Sequence, residues 1–527
     1  MTDLLHNLLR QSAEHTPEKV ALKYKSNTHT YAKLAFDVEE TATALLNIGL
    51  ARDERIAIYL PKLPEAVISF FATSHAGGVF VPVNPLLKGA QVEYILNDCN
   101  VRILVTSKDR YEQLKEVLPR CHDLHTIVLV NCEPGDLPGD HRFNYLTWSQ
   151  LREISSTKAP HRRIDADMAT ILYTSGSTGK PKGVVLSHKN MVAGAKSVAE
   201  YLQNRPEDRL LAVLPFSFDY GFSQLSTAFH KGASVVLMDY LLPRDVVKMV
   251  AKEQITGLAG VPPLWNQLAE LEWPQEAIDS LRYITNSGGA MPKTSLAKLR
   301  ASLPKSRLYL MYGLTEAFRS TYLPPEEIDR RPDSMGKAIP NAEIMVVRED
   351  GSPCAPGEPG ELVHRGALVA MGYWNDPVKT AERFKPLPGQ NAALTLTEIA
   401  VWSGDTVKMD DEGYLYFIAR RDEMIKTSGY RVSPTEVEEV VYASELVSEV
   451  VALGIPHPTL GQGILLVATP DKTGTLNSEA IIAHCKKELP NFMAPLAIEK
   501  RDNLPRTPNG KIDRKLLSSE YQHLFDQ

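Results

Sequence analysis

Short apolar runs rich in β-branched residues recur through about the first 330 residues, with stretches of helical periodicity between them. RIAIYL (55–60), RILVT (102–106), TIVLV (126–130), ATILYT (169–174), LLAVL (210–214), ASVVLM (233–238) and RLYLMY (307–312) each fit a buried strand. PEAVISFFATSHAG (64–77) and NMVAGAKSVAEYL (190–202) space their apolar residues as helices do. Strands that alternate with helices in this way bury both faces of a sheet, so the first part of the chain is expected to be α/β. A chain of 527 residues also exceeds what one hydrophobic core supports, which predicts more than one domain.

From about Asn341 the texture changes. AEIMVVREDGSPCAPGEPGELVHRG breaks its strands with Gly and Pro, which suits an antiparallel sheet or small barrel appended to the α/β body. After EGYLYFIARRDEMIK come a helical PTEVEEVVYAS (434–444), the strands EVVALGI and GILLVATP, and a helix near 477–489. That pattern predicts a compact α+β tail domain.

Composition removes several function classes. A formal net charge of −6 supplies no broad basic field, so a nucleic-acid partner is not expected. The five cysteines, at 99, 121, 132, 354 and 485, include no C-x-x-C pair and suggest neither a disulfide framework nor a zinc site. MTDLLHNLLRQSAEHTPEKVAL repeats leucine at helical spacing without the continuous apolar core of a signal peptide. No run approaches the ~20 apolar residues of a membrane span, and a cytoplasmic location is expected.

The stretch YTSGSTGKPKGV (173–184) raises the question of phosphate binding. It departs from a P-loop twice. Pro181 follows Lys180 where Ser or Thr should stand, and Val184, Val185 and Leu186 are strand formers rather than a helix start. The loop is therefore expected to join strand to strand. Its glycines (Gly176, Gly179), its hydroxyls (Thr174, Ser175, Ser177, Thr178) and Lys180 and Lys182 suit the wrapping of a polyphosphate, the alternative being a surface hairpin.

YTSGSTGKPKGVVLSH resembles the phosphate loop of the adenylate-forming superfamily, which includes acyl-CoA synthetases, luciferases and the adenylation enzymes of nonribosomal peptide synthesis. Further motifs follow in the family's order from about residue 10 to 516. SGGA (287–290) and MYGLTEA (311–317) resemble the adenine and metal motifs, and WSGDTV (402–407) the ribose motif. ARRDEMIKTSGYRVSPTEVEEV resembles the hinge, and PRTPNGKIDRKLL the C-terminal lysine loop. The family usually has glycine where Ala419 stands. FSFDYGFSQL and YGLTEAFRSTYLPP look most like stand-alone amino-acid adenylation enzymes and exosortase-associated AMP-forming acyl-CoA ligases.

The resemblance implies an N-terminal adenylation core over 1–421, α/β to about 330 and β-rich and barrel-like over 331–421, followed by a mobile C-terminal domain over 422–527. It implies adenylation of a carboxylate by ATP with Mg²⁺ and release of pyrophosphate, then capture of the acyl group by a thiol. Thr174, Ser175, Gly176, Ser177, Thr178, Gly179 and Lys182 are then expected at the phosphates. Gly288, Gly289, Ala290, Tyr312 and Gly313 are expected at the adenine, and Asp405 with Arg420 at the ribose. Thr315 is expected to contact phosphate, Glu316 to hold Mg²⁺, and Lys511 to bridge the carboxylate and the α-phosphate. Asp422 matches the hinge, and Lys426 and Gly429 the thiol-capture face.

The acid itself is expected beside Phe218, Asp219, Asn286, Ser287, Gly313 and Arg319. Asp219 lies in an F-D element like the one that amino-acid-activating members pair with the substrate ammonium. A buried aspartate needs a cationic partner. Arg319 could serve, leaving Asp219 structural, or could face a second anionic group of the substrate. An amino-bearing acid is favoured, with a non-amino acid and an ordinary acyl-CoA ligase as the alternative. The thiol is expected from CoA or from the phosphopantetheine of a separate carrier protein. Lys511, Glu316 and the loop are all present, which disfavours an inactive paralogue, and Pro181 disfavours a P-loop NTPase.

Overall fold

The computed structural model describes residues 3–139, 142–154, 158–174, 181–420, 423–427, 430–471 and 473–526. Four sheets organise them. An eight-stranded sheet runs, edge to edge, through Gly372–Tyr373, Lys182–Ser187, Met168–Thr174, Val79–Pro82, Arg55–Tyr59, Val101–Ser107, Thr126–Val130 and Asn144–Thr147. A nine-stranded sheet runs through Lys337–Ala338, Thr321–Leu323, Arg307–Tyr312, Tyr283–Asn286, Gly257–Gly260, Arg209–Ala212, Ser234–Leu237, Val20–Tyr24 and Asn27–Thr30.

The strand runs read from the sequence all fall in these two sheets. TIVLV and RLYLMY coincide with their strands, whereas LLAVL is cut short at Ala212. Pro215 follows closely and lacks the N–H a ladder needs, and its carbonyl instead accepts from Phe218 N in a turn. Helices Tyr31–Asn47, Pro64–Ala76, His188–Tyr201 and Asp219–Lys231 share one apolar core with residues of both sheets. A cluster of Phe70, Phe80, Phe216 and Phe222, with centroids 5.3–6.0 Å apart, lies at its centre. Each such ring pair contributes about 0.5–1.5 kcal/mol beyond burial, which fixes the segment leading into helix Asp219–Lys231.

Residues Ala342–Val347, Gly360–Gly366, Phe384–Pro386, Ile399–Met409 and Leu415–Arg420 form a five-stranded antiparallel sheet, as the Gly- and Pro-broken texture predicts. The tail has its own five-stranded sheet, built on Glu449–His457 paired with Gly461–Thr469. Helices Pro434–Ala443 and Ser478–Glu488 pack in one of its cores, and a second core takes in Leu504, Leu517 and Phe525. Among the described residues, no helix is long and apolar enough to cross a membrane.

Candidate active site

Strands Arg209–Ala212, Gly257–Gly260, Tyr283–Asn286 and Arg307–Tyr312 run parallel, so the segments that leave them emerge at one end of the sheet. In parallel sheets the crevice outside the carboxyl ends is where ligands bind. Those segments carry Phe218 and Asp219, then Asn286 and Ser287 with Gly288, Gly289 and Ala290, then Tyr312, Gly313, Thr315, Glu316 and Arg319. Three separate sequence motifs are thereby brought together.

The glycine-rich loop closes a hairpin. Met168–Thr174 pairs antiparallel with Lys182–Ser187, and Thr174 stands opposite Lys182 at its mouth. The strand-to-strand connection expected from Val184, Val185 and Leu186 is therefore what forms. Ser175, Gly176, Ser177, Thr178 and Gly179 lie outside the described residues. Helix His188–Tyr201 begins one strand later, where Ser187 accepts from Asn190 N at 3.2 Å and Asn190 Oδ1 accepts from Ser187 N at 2.8 Å, a reciprocal N-cap.

Tyr312 and Asp405 come from different sheets and meet. The Tyr312 hydroxyl donates to Asp405 Oδ2 at 2.5 Å, and Arg420 Nε lies 3.6 Å from Asp405 Oδ1. Asp405 and Arg420 are register partners across two antiparallel strands, which is why the ion pair forms. Burial pushes the Asp405 carboxyl above the usual carboxylate range, while Arg420 and the Tyr312 hydroxyl pull it back. Gly289 and Ala290 are exposed and Tyr312 half-buried, so this edge of the cleft is open.

Glu316 has one oxygen engaged. Tyr373, on the edge strand Gly372–Tyr373, donates to its Oε1 at 2.5 Å, and Lys182 Nζ lies 5.1 Å from the centre of the Tyr373 ring. Burial and then Glu316 raise the Tyr373 hydroxyl, which stays a donor. Among the described residues no group of three or more His, Cys, Asp or Glu side chains could hold a metal. A single carboxylate with a free oxygen suits Mg²⁺, which prefers one or two carboxylates plus substrate phosphates to an all-protein cage. Tyr373 was not foreseen from the sequence; GYWND carries no spacing that points at Glu316.

Among the residues expected from the sequence at the acid, Asp219 opens helix Asp219–Lys231 and is buried. Thr315 Oγ1 donates to its Oδ1 at 3.1 Å. Burial pushes the Asp219 carboxyl above the usual range, against the pull of Arg319, then Lys511, then Thr315. The direct Asp219–Arg319 ion pair weighed from the sequence does not form, since no cation of the described residues lies within 4.0 Å of Asp219. Arg319 donates from Nη1 to Ser287 Oγ at 3.2 Å and lies 4.6 Å over the Tyr220 ring. Asn286 donates to Gly289 O at 3.0 Å and keeps its buried Oδ1 without a protein partner.

The tail reaches this cleft through one loop. Thr507 N donates to Lys511 O at 2.7 Å, closing a tight turn, and Asn84 Nδ2 of the large domain donates to Pro508 O at 2.8 Å. Lys511 Nζ stands 5.4 Å from the centre of the Phe218 ring. Its stem passes over Gly288, where φ of +84° favours glycine and an added Cβ, 2.8 Å from Lys511 Cε, would push the lysine's end aside. Burial and then Arg420 lower the Lys511 ammonium, while Asp219 and Asp405 favour its charge. Lys426 is exposed on strand Ile425–Thr427, and Asp422 and Gly429 lie outside the described residues.

A cleft at the carboxyl ends of a parallel sheet, with a paired aspartate and tyrosine on one side, the buried Asp219 and Arg319 on the other and a lysine brought in by the tail, has the layout of a two-domain enzyme that activates carboxylic acids. Residues 9–374 match the AMP-binding enzyme family and residues 436–511 match the AMP-binding enzyme C-terminal domain, and the chain belongs to that family. The long-chain-fatty-acid–CoA ligase of Bacillus subtilis (strain 168) is 28% identical, over 98% of this chain and 94% of that protein. Tyrocidine synthase 3 of Brevibacillus parabrevis is 29% identical over 98% of this chain and 8% of the synthase. The solved o-succinylbenzoate CoA synthetase of Bacillus subtilis, in complex with ATP and magnesium ion, superposes with a TM-score of 0.81 at 26% identity, covering 97% of this chain and 99% of that one. ATP-bound MatB from Rhodopseudomonas palustris shares the fold, with a TM-score of 0.87 at 24% identity and full coverage of both chains.

The chain is thus an AMP-forming acid–thiol ligase that uses ATP with Mg²⁺ to activate a carboxylate as an adenylate.

Proposed function

We propose that the enzyme adenylates an amino-bearing carboxylic acid and passes the acyl group to a thiol of CoA or of a carrier protein's phosphopantetheine. The observation that carries this reading is the state of Asp219. It is a buried carboxylate at the start of helix Asp219–Lys231, hydrogen-bonded by Thr315 and without an ion-pair partner within 4.0 Å among the described residues. A buried carboxylate without a directly contacting counter-ion is costly, even with Arg319 and Lys511 acting on it from farther away, and a substrate ammonium in contact would reduce that cost on binding.

In the reaction, a carboxylate oxygen of the acid forms the new bond to the α-phosphorus, the bond to the bridging oxygen breaks, and pyrophosphate leaves. The thiol sulfur then bonds to the acyl carbon and AMP leaves. Lys511 supports the first step by placing positive charge where the carboxylate and the α-phosphate meet, an effect of position and electrostatics. Thr315 links the two halves of the cleft, because its hydroxyl is already oriented by Asp219. When bound, Mg²⁺ neutralises phosphate charge; Glu316 would hold it, with Tyr373 fixing that carboxylate's orientation.

ATP–pyrophosphate exchange tests the reading. Exchange is expected with amino acids and is expected to fall at least about tenfold in kcat/KM for Asp219→Asn, mainly through KM. Exchange confined to acids without an amino group, and indifferent to Asp219→Asn, would return Asp219 to a structural role.

A further inference from the structure

We propose that Arg319 forms a subsite for a second carboxylate, so that the acid this enzyme activates is dicarboxylic. The inference rests on the pocket read above as the acid's site and deepens it; it does not depend on the ammonium assigned to Asp219.

Arg319 is 2% exposed and among the largest fully buried side chains of the protein. Arginine stays charged in proteins, so the cost of burying this one is not relieved by neutralisation. No carboxylate of the described residues lies within 4.0 Å of it. Nη1 is used by Ser287, while Nε and Nη2 are buried and have no hydrogen-bond partner in the protein. These two nitrogens belong to one edge of the guanidinium, and their N–H bonds point the same way. A hydroxyl or a single carbonyl would satisfy one of them. A carboxylate satisfies both at once, in the fork geometry that distinguishes arginine from lysine.

The edge is also held in place. The guanidinium lies over the Tyr220 ring, and the Tyr220 hydroxyl is fixed against Thr285 Oγ1 at 2.5 Å. Just before Arg319 the backbone makes a tight turn at Phe318 (φ +56°, ψ −55°), closed by Arg319 N donating to Ala317 O at 2.5 Å. A non-glycine residue in that region is strained and persists only where the surroundings impose it. They do so here: the fully buried Phe318 ring occupies the space over Gly194, where any Cβ would collide with it. After that turn Arg319 lies beside the segments that carry Ser287 and Gly313, its Nη1 on the Ser287 hydroxyl and 3.4 Å from where a Cβ on Gly313 would sit. Each cation of the site then has a complement on the substrate, Lys511 for the reacting carboxylate and Arg319 for the second.

The experiment is ATP–pyrophosphate exchange by the full-length wild-type enzyme with matched sets of acids. At each length from four to eight carbons the set contains a monocarboxylate, its 2-amino derivative, the α,ω-dicarboxylate and the 2-amino dicarboxylate. The best diacid is expected to exceed its monoacid counterpart at least about tenfold in kcat/KM, the scale of a charge-assisted bidentate contact. Arg319→Lys, which keeps the charge but loses the fork, is expected to raise KM more for the diacid than for the monoacid. A thermal upshift of the wild-type enzyme by the diacid, reduced in Arg319→Lys, supplies a readout that needs no turnover. Equal exchange with monoacids and diacids, or no exchange with any diacid, overturns the inference. Dependence on the second carboxylate without dependence on the amino group supports Arg319 and rejects the ammonium reading. The reverse pattern rejects the Arg319 subsite and leaves that reading standing.

Discussion

The two halves of the cleft are built differently. On the nucleotide side the polar groups already have protein partners: Asp405 receives Tyr312 and lies beside Arg420, and Glu316 receives Tyr373. On the other side Asp219 and Arg319 are buried more deeply than Glu316 or Arg420 yet have fewer contacts, Asp219 receiving one hydroxyl and Arg319 donating to one serine. A nucleotide common to a whole family is met by a preset surface, held in geometry by the protein itself. The groups that await a partner mark what is particular to this enzyme, and they are the better guide to its substrate.

This contrast can be broken experimentally. Lys511 stands between the halves, and Lys511→Ala is expected to lower exchange about 10²–10³-fold with every accepted acid while nucleotide binding changes much less. Normal pyrophosphate release by that variant would remove Lys511 from the site. On the nucleotide side, Tyr373→Phe leaves Glu316 without its orienting donor, and the Mg²⁺ concentration for half-maximal exchange is expected to rise about ten- to hundredfold, alike for all acids. An effect that varied with the acid would show that the halves are not independent.

The smallest effect concerns stability. Because the folded-state pKa of Asp219 is raised, the folded protein takes up that proton more readily than the unfolded chain. The resulting penalty is fully present above the folded pKa and fades as pH falls through it toward the ordinary carboxylate value. Asp219→Asn is therefore expected to stabilise the substrate-free enzyme by about 1 kcal/mol at neutral pH, with the advantage vanishing in acid, as thermal melts across pH would report. Destabilisation at neutral pH would mean that Asp219 is a structural counter-ion after all.

Much of the layout was legible in the sequence, where the information is local. Strands such as TIVLV announce themselves by composition, and Pro181 with the valines beyond it was enough to predict a strand-to-strand connection in place of a P-loop. Lys511 and Asp405 could be placed by family resemblance, and the structure brings both to the cleft. What the sequence did not reveal is pairing over distance. Nothing near Thr315 indicates that it will bond Asp219, nothing in GYWND indicates Glu316, and no spacing rule says whether two buried charges will touch. The Phe318 turn was illegible for the same reason, since phenylalanine has no preference for positive φ and only the space over Gly194 explains it.

That turn has an evolutionary consequence. The absent side chain of Gly194 and the Phe318 ring that fills its place form one unit contributed by two distant parts of the chain, and strain of this kind costs about 1–3 kcal/mol whatever stands at position 319. A lineage that replaced Arg319 alone would keep the burden without its use, and one that enlarged Gly194 alone would displace the ring. Retiring this pocket takes concerted change at three positions, so the substrate preference it encodes is harder to lose than a single arginine would suggest.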